Sequence, residues 1–178
     1  MKPNVILLAG LLAAAVLPGM ALAQPFPGAE AAAERGDPRA AFALALMYDT
    51  GDGVPRDYDR ALFWFRKAAE GGYAVAQAKL GVMYLFGWAL PPDPAEAASW
   101  YRKAAVQGYV VAEARLARLY ALGIGVRKNT VEAYVWADRA ARQADAQSAW
   151  FRDRLAEGMT SDELTKAQTL AKRPRPRR

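Results

Sequence analysis

The residues in this chain best equipped for chemistry are carboxylates. Asp49, Asp52, Asp57 and Asp59 fall close together, and two acids flanking one bond can hydrolyse it without an imidazole. The same four positions also suit a turn followed by a helix start, where unpaired backbone N–H groups attract acids. Composition closes the other routes to catalysis. The chain has no His and no Cys, which removes the commonest general base, the thiolate nucleophile and the usual metal ligands. Its Ser residues, Ser99, Ser148 and Ser161, lie outside any Gly-x-Ser-x-Gly elbow. The expectation is therefore a protein that is not an enzyme, with no catalytic residue, cofactor or metal. A carboxylate-dependent cell-wall hydrolase is the catalytic alternative.

A second set of residues has the chemistry of binding. Lys79 and Arg115 occupy one position 36 residues apart, as do Met47 and Met83, while Arg118 aligns with Leu46 and Val82. Met adapts to irregular shapes, and Lys or Arg pairs with acidic side chains or a terminal carboxylate. Phe86 stands with Thr50 and Leu122 at an edge, and Trp88 sits on a loop beside Pro91 and Pro92, where an aromatic makes a good anchor. Met47, Lys79, Met83, Phe86, Trp88, Arg115 and Arg118 are accordingly predicted to contact a protein or peptide partner. The competing reading is that Met and Phe fill gaps between helices while the charges are solvated.

These residues are positioned by a repeat. Shifting the chain by 36 residues superposes Leu44, Leu80 and Leu116; Tyr48, Tyr84 and Tyr120; Gly51, Gly87 and Gly123; and Trp64, Trp100 and Trp136. Each unit reads as two helices, with apolar residues at three- and four-residue spacing. The first helices are predicted over 38–49, 74–86 and 110–122, and the second over 58–70, 94–107 and 130–142. Gly51, Gly87 and Gly123 end the first helix of each pair. Asp57, Asp93 and Asn129 cap the second, with Glu96 and Glu132 placed for capping boxes. Trp64, Trp100 and Trp136 are expected in the core. The fold class is all-α: an α/α superhelix of stacked antiparallel helix pairs.

The chain resembles a Sel1-like repeat protein, a relative of the tetratricopeptide repeats. The residues carrying the resemblance are Leu44 to Tyr48, Gly51-x-Gly53-Val54, Asp57, Ala61, Trp64 and Ala68-Ala69. They recur as Leu80 to Tyr84, Gly87, Asp93, Ala97, Trp100 and Ala104-Ala105, then as Leu116, Tyr120, Gly123-x-Gly125-Val126, Ala133, Trp136 and Ala140-Ala141. The resemblance implies an adaptor or scaffold whose first helices line a concave groove. Two departures stand out. Trp88-Ala89-Leu90 replaces the x-Gly-Val of the other turns, so Ala89 would be strained at positive φ. Ala45 and Ala117 stand where repeat two has Gly81.

The remaining segments set location and ends. Residues 1–23 read as a cleavable signal peptide: Lys2, an apolar run of about 13 residues from Val5 to Leu17, then Ala21-Leu22-Ala23. That run is too short to span a membrane, so a periplasmic or secreted protein beginning at Gln24 is expected. Residues 24–35 form a lead-in and half-unit, 36–142 the three repeats, and 143–171 a degenerate fourth unit with a capping helix. Residues 172–178 form a basic disordered tail. The formal charge of +6 comes from 24 basic and 18 acidic residues. Lys2 and the five basic residues of the tail account for all of it, leaving a neutral body that argues against nucleic-acid binding. The tail is a candidate for an anionic envelope surface. A structural envelope component tethered by it is the third functional reading.

Overall fold

The computed structural model describes residues 27–175. The predicted signal peptide, Gln24 and residues 176–178 lie outside them. The described residues form nine helices: α1 (Pro27–Glu34), α2 (Pro38–Thr50), α3 (Tyr58–Glu70), α4 (Ala74–Phe86), α5 (Pro94–Val106), α6 (Val110–Leu122), α7 (Thr130–Ala141), α8 (Ala146–Glu157) and α9 (Ser161–Ala171). Each of α1 to α8 packs on its neighbours in sequence, and α9 returns to α7. This order is a stack of antiparallel hairpins, α2–α3, α4–α5 and α6–α7, flanked by α1 and by α8 with α9.

The hairpin turn is built the same way three times. Gly51, Gly87 and Gly123 are left-handed, and each donates its N–H to the carbonyl four residues back, at 2.8 Å. The carbonyls of Tyr48, Tyr84 and Tyr120 then accept the N–H of Asp57, Asp93 and Asn129 at 2.8–2.9 Å. Those three side chains turn back to cap the second helix. Asp57 accepts from Arg60 N, Asp93 from Ala95 N and Glu96 N, and Asn129 from Glu132 N. The caps at Glu96 and Glu132 are one-sided. Glu132 instead accepts the Trp136 indole N–H at 3.2 Å. Among the described residues a reciprocal capping box forms at Thr160 and Glu163.

Apolar anchors at fixed positions and alanines between them make the core. Leu44, Leu80 and Leu116 are fully buried, and Ala68, Ala69, Ala104, Ala105 and Ala140 let the second helices approach closely. Burying one Leu or Phe of this kind contributes about 2–3 kcal/mol. The Trp column departs from expectation. Trp136 is buried, but Trp64 and Trp100 are only partly buried, packed at the margin of one core cluster. The reason is neighbours. Helix α7 is covered by α6, α8 and α9, so its residues from Ala133 to Ala140 are all buried, whereas among the described residues α3 and α5 have no counterpart to α9. Lys103 takes that place over the Trp100 ring, 3.6 Å from its centroid.

The variant turn adopts the geometry its sequence makes costly. Ala89 has φ +57, matching Gly53 at +72 and Gly125 at +66. Gly81 meets the Tyr101 ring, where an added Cβ would lie 2.9 Å away. The absence of a side chain there is what admits a ring from α5.

Candidate functional site

Two cavities open along the row of first helices. One, about 520 Å³, lies between repeats one and two, lined by Asp49, Tyr58, Lys79, Met83, Trp88 and Ala89. The variant turn shapes it: Ala89 and Tyr58 both face the cavity. One repeat later the position of Tyr58 is Pro94, and there the turn at Gly125 presses directly on the Pro94 carbonyl. The other cavity, about 660 Å³, lies between α6 and α8, with Ala121, Leu122, Trp150 and Phe151 as its apolar wall and Arg118 and Gln147 at its rim.

The predicted contact residues divide between these places. Lys79, Met83 and Trp88 meet at the first cavity. Phe86 and Trp88 are 58% and 53% exposed, with ring centroids 6.1 Å apart. Lys79 does not project freely. Its ammonium pairs with Asp49 at 3.1 Å and lies 5.2 and 5.6 Å from the Phe65 and Trp88 ring centroids. A Lys held this way orders the cavity wall and is poorly placed for an external acid. Met83 and its repeat equivalent Leu119 are buried, and Met47 packs against the core, so the Met column serves packing first. Arg118 is exposed at the second cavity, 3.5 Å from Gln147 Oε1. Arg115 is also exposed and close enough to Tyr101 to favour its phenolate. Burial outweighs that influence and pushes the Tyr101 hydroxyl up to about 12.

Leu122 and Trp150, 68% and 65% exposed, form the most open apolar surface of the second cavity. Trp150 falls outside every repeating column, so periodicity gave it no assignment. Its usable signal was a large apolar residue in a polar helix.

Two of the four clustered acids are engaged by neighbouring cations. Asp49 pairs with Lys79, and Asp57 caps α3 while pairing with Arg60 at 3.4 Å. Among the described residues, no group of three or more acids stands where a metal could be held, and no helix is long and apolar enough to cross a membrane.

Of the basic tail expected from 172, residues 172–175 are described, and they lie against the last repeat. Arg175 reaches the fully buried Glu113, with Nε 2.8 Å from Oε1. Arg139 donates to the Arg173 carbonyl at 3.4 Å and lies over the Trp136 ring. Burial lowers the Arg139 pKa, with Glu113 opposing the shift.

Stacked helix hairpins with cavities along one helix row define a tetratricopeptide-like helical repeat protein. The chain belongs to the Sel1 repeat family, whose model matches residues 38–73, 74–109 and 110–145. Such modules typically mediate protein interactions. No curated protein matches the chain. Among solved structures it is similar to a Sel1 repeat protein from Oxalobacter formigenes, at 40% identity and a TM-score of 0.70, over 71% of this chain and 96% of that one. It also shares its fold with cysteine rich protein B of Helicobacter pylori, at 20% identity and a TM-score of 0.57, over 70% of this chain and 94% of that one.

Proposed function

We propose that this chain is an exported adaptor that binds a protein or peptide partner along its row of first helices and performs no catalysis. The observation that carries the reading is the cavity between α6 and α8, where Leu122 and Trp150 stand exposed beside Arg118. An apolar side chain of the partner would bury itself against Leu122, Trp150 and Phe151, and an adjacent carboxylate would pair with Arg118. The cavity at Trp88 offers a second aromatic anchor along the same row. Export rests on the leader pattern of residues 1–23, with a periplasmic or secreted destination.

The test is site-specific cross-linking in the producing cells, comparing wild type with Trp150→Ala/Arg118→Glu. Both positions are exposed, so a thermal melt should show an unchanged fold. The expected result is a partner adduct in wild type that falls at least tenfold in the variant, on protein whose intact mass begins at Gln24. Equal adducts in both, or none in either, would overturn the groove reading. Adducts lost on deleting residues 172–178, but not in the groove variant, would favour a tail-tethered structural component. A retained leader would overturn the export assignment.

A further inference from the structure

Glu113 lies on α6 with its side chain fully buried. Gln143 Nε2 donates to one carboxylate oxygen at 2.6 Å, and Arg175 Nε donates to the other at 2.8 Å. The repeat supplies its own comparison. One unit earlier the equivalent residues are Gln77 and Gln107, and there Gln107 Nε2 donates to Gln77 Oε1 at 2.7 Å. The two junctions therefore share an amide-to-oxygen contact.

They differ at the second atom. Gln77 uses its Nε2 to donate to the Ala69 carbonyl at 3.0 Å. A carboxylate at that place has no proton to give and needs a donor instead. The surroundings differ to match. At the earlier junction Gly72, Gln77 and Gln107 line a notch of about 380 Å³. At the later one, beside Gly108, Glu113 and Gln143, the Arg175 guanidinium fills the equivalent place. A Cβ on Gly108 would lie 3.3 Å from Arg175 Cζ, so a bare backbone suits the planar group. Upstream, Arg139 holds the Arg173 carbonyl.

From this junction we infer that the notch formed by Gly108, Glu113 and Gln143 is an arginine-binding site, occupied in cis by Arg175 so that the C-terminal segment straps the last repeat. Its ligand class is the guanidinium of an extended basic segment. Pro174 and Pro176 flank the arginine, which favours the extended chain the notch requires. The site is separate from the groove and stands whether or not the groove binds a partner. It also restrains the tail. Arg175 is one of five basic residues in 172–178, so any anionic surface must compete with Glu113 for it.

The test is limited trypsin digestion of the full chain, following release of residues 173–178 by cleavage after Lys172. Arg175→Ala and Glu113→Gln are each expected to speed that cleavage at least tenfold. Arg177→Ala, which removes the same charge from the tail but leaves the Arg175–Glu113 pair in place, is expected to leave it at the wild-type rate. Glu113→Gln installs the residue that repeat two already carries at Gln77, and an unchanged circular dichroism spectrum will show that it folds. A wild-type cleavage rate in folded Glu113→Gln overturns the proposal, and so does Arg177→Ala accelerating as much as Arg175→Ala.

Discussion

Gly125 and Gly53 hold one position in two repeats, yet the structure assigns them different sensitivities to Ala. Both are left-handed, at φ +66 and +72, and placing Ala there costs about 1 kcal/mol in backbone strain. Around Gly53, a new Cβ meets nothing nearer than Met47 Cε at 3.5 Å, the far end of a flexible side chain. Around Gly125 it falls 1.9 Å from the Pro94 carbonyl oxygen and 2.2 Å from its carbon. These are backbone atoms in the first turn of α5, so relief requires the hairpin turn to retreat from α5 by roughly an ångström. Overpacking of that kind adds about 1–3 kcal/mol. The expected losses are about 1 kcal/mol for Gly53→Ala and about 3 kcal/mol for Gly125→Ala. Urea unfolding followed by tryptophan fluorescence measures both, the midpoints shifting at constant slope. Ala89→Gly is the internal control, because relief of strain there is offset by a looser unfolded chain, leaving it within about 0.5 kcal/mol of wild type. Equal losses for Gly53→Ala and Gly125→Ala would refute the reasoning. Backbone conformation alone would then decide, and contact between the turn and the preceding hairpin would contribute nothing.

Two further outcomes follow from buried and capping groups. Tyr101 is buried with no hydrogen-bond partner for its hydroxyl among the described residues, and burial raises its pKa from 10.0 to about 12. The unfolded chain ionises first, so this contribution to stability is complete below pH 10 and is lost as pH rises through 12, on the order of 1–2 kcal/mol. Tyr101→Phe should abolish that slope in urea titrations at pH 9 to 11.5, and should stabilise the protein at neutral pH by about 1 kcal/mol by removing an unpaired hydroxyl. Asp93→Ala removes the acceptor for Ala95 N and Glu96 N and should cost about 1 kcal/mol, read as a lower thermal midpoint.

Columns in the sequence revealed the hairpins because periodic packing needs the same residue at the same place. Leu44, Leu80 and Leu116 meet equivalent neighbours, so their shared identity reports shared burial. Trp64, Trp100 and Trp136 show where that inference fails: identical positions acquire different burial when one has an extra helix, α9, beside it. The candidate site was less legible for a related reason. Lys79 looked available because nothing near it in sequence engages it, but its partner Asp49 lies one repeat earlier. Trp150 belongs to α8, whose sequence no longer follows the repeat. Arg175 and Glu113 are 62 residues apart, and a tail that repeats nothing leaves no column to align. Its prolines and charge led to the expectation of a disordered tail and said nothing of where Arg175 docks.

A solenoid makes its own controls, because each junction shows what the others need for stability alone. Gln77 demonstrates that a neutral amide closes this junction with backbone and Gln107 as partners. Glu113 is nearly isosteric with it, so packing does not select the carboxylate. A buried carboxylate is expensive unless donors satisfy both oxygens, and breaking such a pair costs about 3–5 kcal/mol. The change from Gln to Glu therefore makes the junction depend on a residue 62 positions away. The dependence also runs the other way: Arg175 has a defined seat because this repeat carries a charge that its predecessor lacks. The segment that ends the stack is thus coupled to the repeat whose α6 lines the apolar cavity with α8. Glu113 and Arg118 stand on that one helix, one facing the strap and the other the proposed partner.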